Sequence, residues 1–329
     1  MNENPSAESN PSASVELEKT IPEKTPIGTP KKKTSPAKII LTVFLSLILV
    51  AVLGVGAVFA RVMIIQASGY TVIEDGLVLE KILSKDIDED GSFTVPKSFF
   101  GSPVIYIGES AFEGQTELKR VVIPDTVTYI YPRAFAACYS LEEIVLPGTI
   151  EEIGSNAFFG CSSLKEICIP EGVKVISDEA FFQCTALEYV ILPSTLSHIG
   201  DKAFRDCSSL KEFRMSAPSE SYAVSDGDLY TADMEQLIRY AGGDGETAFT
   251  LNRATTHISS YAFDGCTNLK NIRIHSDVLF VQEYAVTNIR DAVISIEGPQ
   301  RTGGQNWPSN WNDTGCMVFW NSIFEEESD

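Results

Sequence analysis

The sequence predicts a repeat solenoid, a stack of parallel β-strands joined by short helical turns, preceded by one transmembrane helix. An Ala-Phe pair recurs with its Phe at 112, 135, 158, 181 and 204, a strict 23-residue period, and returns at Phe263. A period of that size marks stacked supersecondary units. Between the pairs, apolar residues alternate two apart in short runs, the pattern of a strand with one buried face. Ahead of the repeats, Ile39 to Ala60 runs 22 residues without a charge, about 33 Å as a helix and so the thickness of a bilayer core.

The elements follow in order. Residues 1–38 are rich in Pro, Ser, Glu and Lys and nearly free of aromatic and β-branched residues, so they cannot repay the entropy of ordering and are expected to be a disordered tail. Residues 39–60 are the membrane helix. Lys31, Lys32, Lys33 and Lys38 precede it and only Arg61 follows closely, which places the tail in the cytoplasm and the repeats outside a single-pass cell-membrane anchor, with lipid as the partner of the helix. Val58-Phe59-Ala60 imitates a signal-peptidase site, but the charged leader is long and the apolar run exceeds a normal signal core. A juxtamembrane linker at 61–69 leads into repeats over 70–300, and 301–329 forms an aromatic cap with an acidic tail.

The repeat units begin at Ile107, Ile130, Ile153, Ile176, Ile199 and Ile258 and follow I-G-x-x-A-F-x-x-C-x-x-L-x-x-I-x-I-P-x-x-V. The Ala and Phe at unit positions 5 and 6 are expected on a short helical turn with the ring in the core. The Leu at position 12 seals the next corner, apolar residues at 15 and 17 point inward from a strand, and the Pro at 18 ends it. This pattern resembles the BspA-type leucine-rich repeat family, found on surface proteins of anaerobic bacteria and some mucosal parasites, over roughly Tyr70 to Trp320. The resemblance extends to the opening half-repeat, Gly91 to Pro96 followed by Ser102 to Gly108, and to an inserted hairpin over 222–240. It implies a rigid binding module used in adhesion or in contacts with host, neighbouring cells or envelope components.

Inward strand residues Phe93, Val121, Ile144, Ile167, Val190, Phe213, Phe249, Ile272 and Ile294 count nine rungs. The 36-residue gap between Phe213 and Phe249 exceeds the period by 13, which assigns a hairpin near 218–245 turning at Asp226-Gly227 and projecting from the solenoid. Cys138, Cys161, Cys184, Cys207 and Cys266 share position 9, while Gln115 takes that slot in the first unit and Ile289 approximately in the last. Neighbours in such a ladder come within disulfide reach, yet each has two equivalent partners and the slot suits a small buried hydrophobe, so free thiols are expected.

Chemistry is harder to find. The chain carries 45 acidic and 25 basic residues, a net charge of −20, which argues against nucleic-acid binding. His198, His257 and His275 read as surface residues outside any catalytic arrangement. Asp86 to Gly91 imitates the start of a calcium loop but has Lys97 where the bidentate Glu belongs, and reads as an acidic turn. No enzyme, metal or cofactor is expected. The candidate binding face is the outward side of the strands. Position 16 gives Val122, Val145, Cys168, Ile191 and Arg214, and position 14 gives Arg120, Glu143, Glu166, Tyr189 and Glu212. The apolar stripe exceeds what a solvated sheet needs, with a protein or glycoprotein ligand as the expected partner, although the β-propensity of Val and Ile accounts for such a stripe equally well. Two alternatives are an envelope scaffold that self-associates or packs on a membrane partner, and a carbohydrate module built on Trp307, Trp311 and Trp320. The same tryptophans are expected to cap the last rung.

Overall fold

The computed structural model describes residues 68–73, 75–242, 245–300 and 306–323. The expected tail, the membrane helix at 39–60, the linker up to 67 and the last acidic residues lie outside them. Among the described residues, no helix is long and apolar enough to cross a membrane.

Unit positions 14 to 16 form a front sheet with strands Ser92–Thr94, Arg120–Val122, Glu143–Val145, Glu166–Cys168, Tyr189–Leu192 and Glu212–Met215. The end of one unit and the start of the next form a back sheet, including Tyr129–Ile130, Glu152–Ile153, Val175–Ile176 and His198–Ile199. Both ladders are parallel and in register with the repeat: Val121 lies opposite Ile144, and Ile130 opposite Ile153. The alternation of positions 14 to 17 thus has one physical outcome. Val121, Ile167 and Val190 turn into the core with at most 1% exposure, while their neighbours face water. Beyond the insertion the front resumes with Ala248–Thr250, Asn271–Ile274 and Val293–Ile296. A tenth rung, absent from the sequence count, follows: Met317–Phe319 pairs parallel with Val293–Ile296, Val318 opposite Ile294. It carries no Ala-Phe pair to betray it.

The expected helical turns are not helical. Position 8 is left-handed in Gly114, Ala137, Gly160, Gln183, Asp206 and Gly265, and so is position 4 in Ser110, Arg133, Asn156, Glu179, Lys202 and Tyr261. Two such residues per unit prevent helical continuation. Their purpose shows in the hydrogen bonds. The N–H groups of positions 4, 6 and 8 leave their own unit and donate to the next, Ser110 to the carbonyl of Pro132 (3.2 Å), Phe112 to that of Ala134 (2.7 Å) and Gly114 to that of Ala136 (2.8 Å). Only the intervening N–H groups stay local, Ala111 donating to Gly108 and Glu113 to Ser110. A helix would spend every donor internally and leave the rungs unjoined.

The Phe rings stack through the core, with centroids 5.3, 5.2 and 5.4 Å apart from Phe135 to Phe204 and planes within 3°. Beside them runs the Cys ladder. The first four thiols donate to the carbonyl of the preceding unit's Phe, Cys138 to Phe112 at 3.0 Å, Cys161 to Phe135 and Cys184 to Phe158 at 3.2 Å and Cys207 to Phe181 at 3.3 Å, while Cys266 reaches the Tyr240 carbonyl at 3.9 Å. Gln115 makes the corresponding contact in the first unit, its amide reaching the Ile82 carbonyl at 3.4 Å. All described cysteines are free thiols. Burial pushes the Cys138 and Cys207 thiols up to about 12 and holds those of Cys161 and Cys184 well above the usual range.

The insertion does form a hairpin at the expected place. Tyr222–Ser225 pairs antiparallel with Asp228–Thr231 across Asp226 (φ 53°) and Gly227 (φ 84°), the two left-handed residues of a tight hairpin turn. It does not project. Leu229 and Tyr230 are buried, the next strand Gln236–Arg239 joins the back sheet beside His257–Ile258, and the Gly227 carbonyl accepts the Phe213 N–H at 2.8 Å. The insertion is a degenerate rung, with Tyr240 packed against Phe263 in place of a repeat Phe, because its apolar residues are too many to leave in water. Here one core cluster hands over to a second.

Asp228 is buried at this handover, with its Oδ1 accepting the Ala241 N–H at 2.9 Å, and burial pushes its carboxyl up to about 8. The unfolded chain ionises this group near pH 4, whereas the folded chain keeps the proton to about pH 8. The folded state therefore binds more protons across that window, and stability falls as pH rises through it. Asp228→Asn keeps the acceptor and removes the titration. Its melting temperature is expected to exceed the parent's by several degrees at pH 8 and to match it at pH 4; an unchanged difference across that range would refute the assignment. For the cysteines, a thiol reagent applied to the native chain at pH 8 is expected to label the exposed Cys168 and to leave Cys138, Cys161, Cys184 and Cys207 unmodified until denaturant is added. Rapid native-state labelling of the ladder would contradict their burial.

Candidate binding surface

The ten candidate residues fall on the front sheet, in two hydrogen-bonded pieces of three strands each. The first piece sets Arg120 opposite Glu143 and Val122 opposite Val145. The second sets Glu166, Tyr189 and Glu212 in one row and Cys168, Ile191 and Arg214 in the other. The parallel register does this without any further constraint, since equal positions in successive units must align. Val145 and Cys168 are exposed, Val122, Tyr189 and Ile191 half-buried. Position 16 is therefore an apolar row over four rungs, Val122, Val145, Cys168 and Ile191, as the sequence implied.

Charge frames the row. The Arg120 Nε donates to Glu143 at 3.0 Å. At the other end, Arg214 donates to Glu212 through Nε at 2.9 Å and through its terminal nitrogen at 2.6 Å, and this carboxylate holds the guanidinium above its usual range. The same guanidinium lies 4.8 Å over the Tyr189 ring, with the Lys211 ammonium 5.8 Å from it. Tyr189 is thus partly covered by cations, a detail that strand spacing could not give because the covering side chains reach across from the next unit.

Other sequence readings resolve differently. Trp307 and Trp311 are each 2% exposed and pack edge to face at 5.4 Å inside the second core, so they close the solenoid and offer no ring face to a sugar. His275 is not a surface residue: it is 3% exposed, with Nε2 donating to the Asn252 carbonyl at 2.9 Å. His257 is half-buried and stacks on Phe280 at 4.7 Å. In the acidic turn, Asp90 accepts the Ser92 N–H at 2.9 Å and Asp86 the Leu83 N–H at 2.9 Å, so both carboxylates cap local backbone. A row that sequence reading passed over lies on the turn edge, at unit positions 7 and 4. Phe159 packs on Phe182 at 5.4 Å, and the Arg205 guanidinium lies between Phe182 (5.2 Å) and Tyr261 (4.4 Å). Tyr261 in turn stacks on Tyr284 at 5.7 Å. The doubled Phe in units three and four was the available signal.

A family model for the BspA type leucine rich repeat region matches residues 92–217 and 244–305 in six copies, more than half of the chain. No curated protein matches the chain. Among solved structures, a leucine-rich repeat protein from Bacteroides ovatus aligns at 23% identity over 76% of this chain and 65% of its own, with TM-score 0.51. One from Eubacterium ventriosum aligns at 16% identity over 71% and 73%, with TM-score 0.50. The T. pallidum leucine-rich repeat protein is 24% identical over 73% and 87%, with TM-score 0.45. The first two likenesses speak for the fold alone. The repeat geometry and the family match agree, and the chain belongs to the BspA-type leucine-rich repeat family.

Proposed function

We propose that this chain is a non-enzymatic, membrane-anchored surface protein whose front sheet binds a protein or glycoprotein ligand in adhesion. The anchor is the uncharged run at 39–60 with its lysine-rich leader, and the repeats stand outside the cell. The observation that carries the reading is the apolar row Val122, Val145, Cys168 and Ile191, bounded at both ends by arginine–carboxylate pairs. Exposed strand faces are ordinarily polar where they meet only water, and an apolar strip with a charged rim is the anatomy of a protein interface. Tyr189 and Ile191 are its anchors, being large, half-buried and held in place by neighbouring strands.

The reading is tested by presenting the full-length chain in detergent to proteins of the envelope and to matrix or mucosal glycoproteins, beside the Tyr189→Ser/Ile191→Lys double variant. Capture of an external protein or glycoprotein by the parent, lost in the variant while its melting temperature stays within a few degrees, is the expected result. Capture of envelope proteins or of a second copy alone would replace adhesion by the scaffold reading. Capture that the variant retains would remove the front face from the account.

A further inference from the structure

Register sets Gln236, His257 and Phe280 in one outward row of the back sheet. Phe280–Val281 is the last strand of that sheet among the described residues. The Val281 N–H donates to the Asn306 carbonyl at 2.8 Å, so Asn306 takes the place beyond the ring. His257 covers one face of Phe280, with centroids 4.7 Å apart and planes within 14°. An asparagine side chain is too short to cover the other, and Phe280 stays 39% exposed. A flat ring is thus held at the end of a stack with apolar area left open to water.

A cleft lies beside this ring because the degenerate rung is short at its corner. Positions 1 and 6 stand five residues apart in a complete unit, as in Ile258 to Phe263, but three apart here, from Leu237 to Tyr240. Leu237 is the register partner of Ile258, and the Tyr240 N–H donates to the Ala262 carbonyl as a position-6 donor does. The corner residues at positions 3 and 4 are the ones missing. Lys202 of the fifth repeat therefore reaches Tyr261 of the sixth directly, 5.8 Å from its ring. The cleft that borders both, and extends to Phe280 and Asn306, measures about 590 Å³, the size of a small-molecule site.

Its polar lining is rich in acceptors. Asp201, Ser260 and Glu283 repeat one another at position 3 and bring two carboxylates and a hydroxyl to the cleft. The Gln282 Oε1 accepts the Ser260 N–H at 2.8 Å and the Ser260 hydroxyl at 3.3 Å, which fixes this amide and leaves its nitrogen as a donor. The Lys202 ammonium is paired with Glu179 at 3.5 Å, so the charge balance disfavours an anion. Carboxylate and amide groups beside an open ring suit a ligand with hydroxyls round its rim and an apolar face. An uncharged pyranose has both.

We propose that this cleft binds an uncharged hexopyranose of a glycan. The sugar's C–H face lies on the open face of Phe280, its hydroxyls donate to Asp201 and Glu283, and the Gln282 amide donates to a further hydroxyl. The site shares no residue with the front row and does not rest on the reading of that face.

The test is calorimetric titration of the full-length chain, in a detergent without a sugar headgroup, with cellobiose, lactose and diacetylchitobiose as uncharged probes and spermidine as a cationic one. At least one disaccharide is expected to bind at millimolar concentration or below, and more tightly than spermidine. Phe280→Ala is expected to weaken that disaccharide about tenfold or more, with a melting temperature within a few degrees of the parent's, and Phe280→Tyr to restore it. Asp201→Asn, which keeps an acceptor, is expected to weaken it less. The Tyr189→Ser/Ile191→Lys variant is expected to bind the sugar as the parent does. Absence of binding by every disaccharide, tighter binding of spermidine, parental affinity in Phe280→Ala, or loss of sugar binding in the front-face variant overturns the site.

Discussion

The architecture depends on a division of labour among backbone donors in the Ala-Phe turn. Alternate N–H groups close the turn locally, and the others cross to the next unit. Such a crossing is possible only if two residues per unit adopt left-handed conformations, which arginine, glutamate, lysine and tyrosine do here at a cost of roughly 1–2 kcal/mol each. The return is a third line of inter-rung hydrogen bonds beside the two sheets. The stacked Phe rings and the thiols donating to Phe carbonyls sit directly against that line, which is why this slot favours Cys: it is small, apolar and still a weak donor. The same burial that fits the thiol there keeps it protonated, so the ladder is structural and chemically quiet.

The insertion is where the periodic logic stops and individual chemistry begins. A regular rung passes its position-8 N–H to the next backbone carbonyl. At the end of the fifth repeat, Asp206 passes it at 2.6 Å to the Asp264 carboxylate instead, which also accepts from the Asn288 amide at 2.7 Å. A side chain thus replaces a missing main-chain acceptor. Burial and the neighbouring Asp264 charge raise the Asp206 carboxyl above its usual range. The buried Asp228 and the buried Arg239, whose terminal nitrogens donate to the Tyr261, Ala262 and Asp264 carbonyls, belong to the same discontinuity. Polar groups are tolerated here because the degenerate rung fills the back sheet but not the whole cross-section.

Much of this was legible in the amino-acid order, because a period of 23 fixes which residues are equivalent and stacking makes equivalent residues neighbours. The inward positions, the front row, the free thiols and the hairpin turn at Asp226-Gly227 all follow from that equivalence. The tenth rung at Met317–Phe319 was not legible, since it lacks the Ala-Phe pair and carries only the strand part of the pattern. Nor were the turns, whose apolar spacing is the same whether their donors bond within the unit or across to the next. His275 was misplaced for a related reason: its burial depends on the Asn252 carbonyl one rung away, a partner 23 residues distant.

Amino-acid order was enough for the repeat, the strand faces and the position of the insertion, because these are set by local periodicity and by one spacing copied along the chain. Packing of the whole stack was needed for three other features. The insertion lies flat as a partial rung rather than projecting, the tryptophans Trp307 and Trp311 face inward, and Arg205 lies over the Tyr261 ring across 56 positions of chain. Each of these turns on how much apolar surface neighbouring rungs can cover, and that quantity belongs to the stack as a whole and has no period to reveal it.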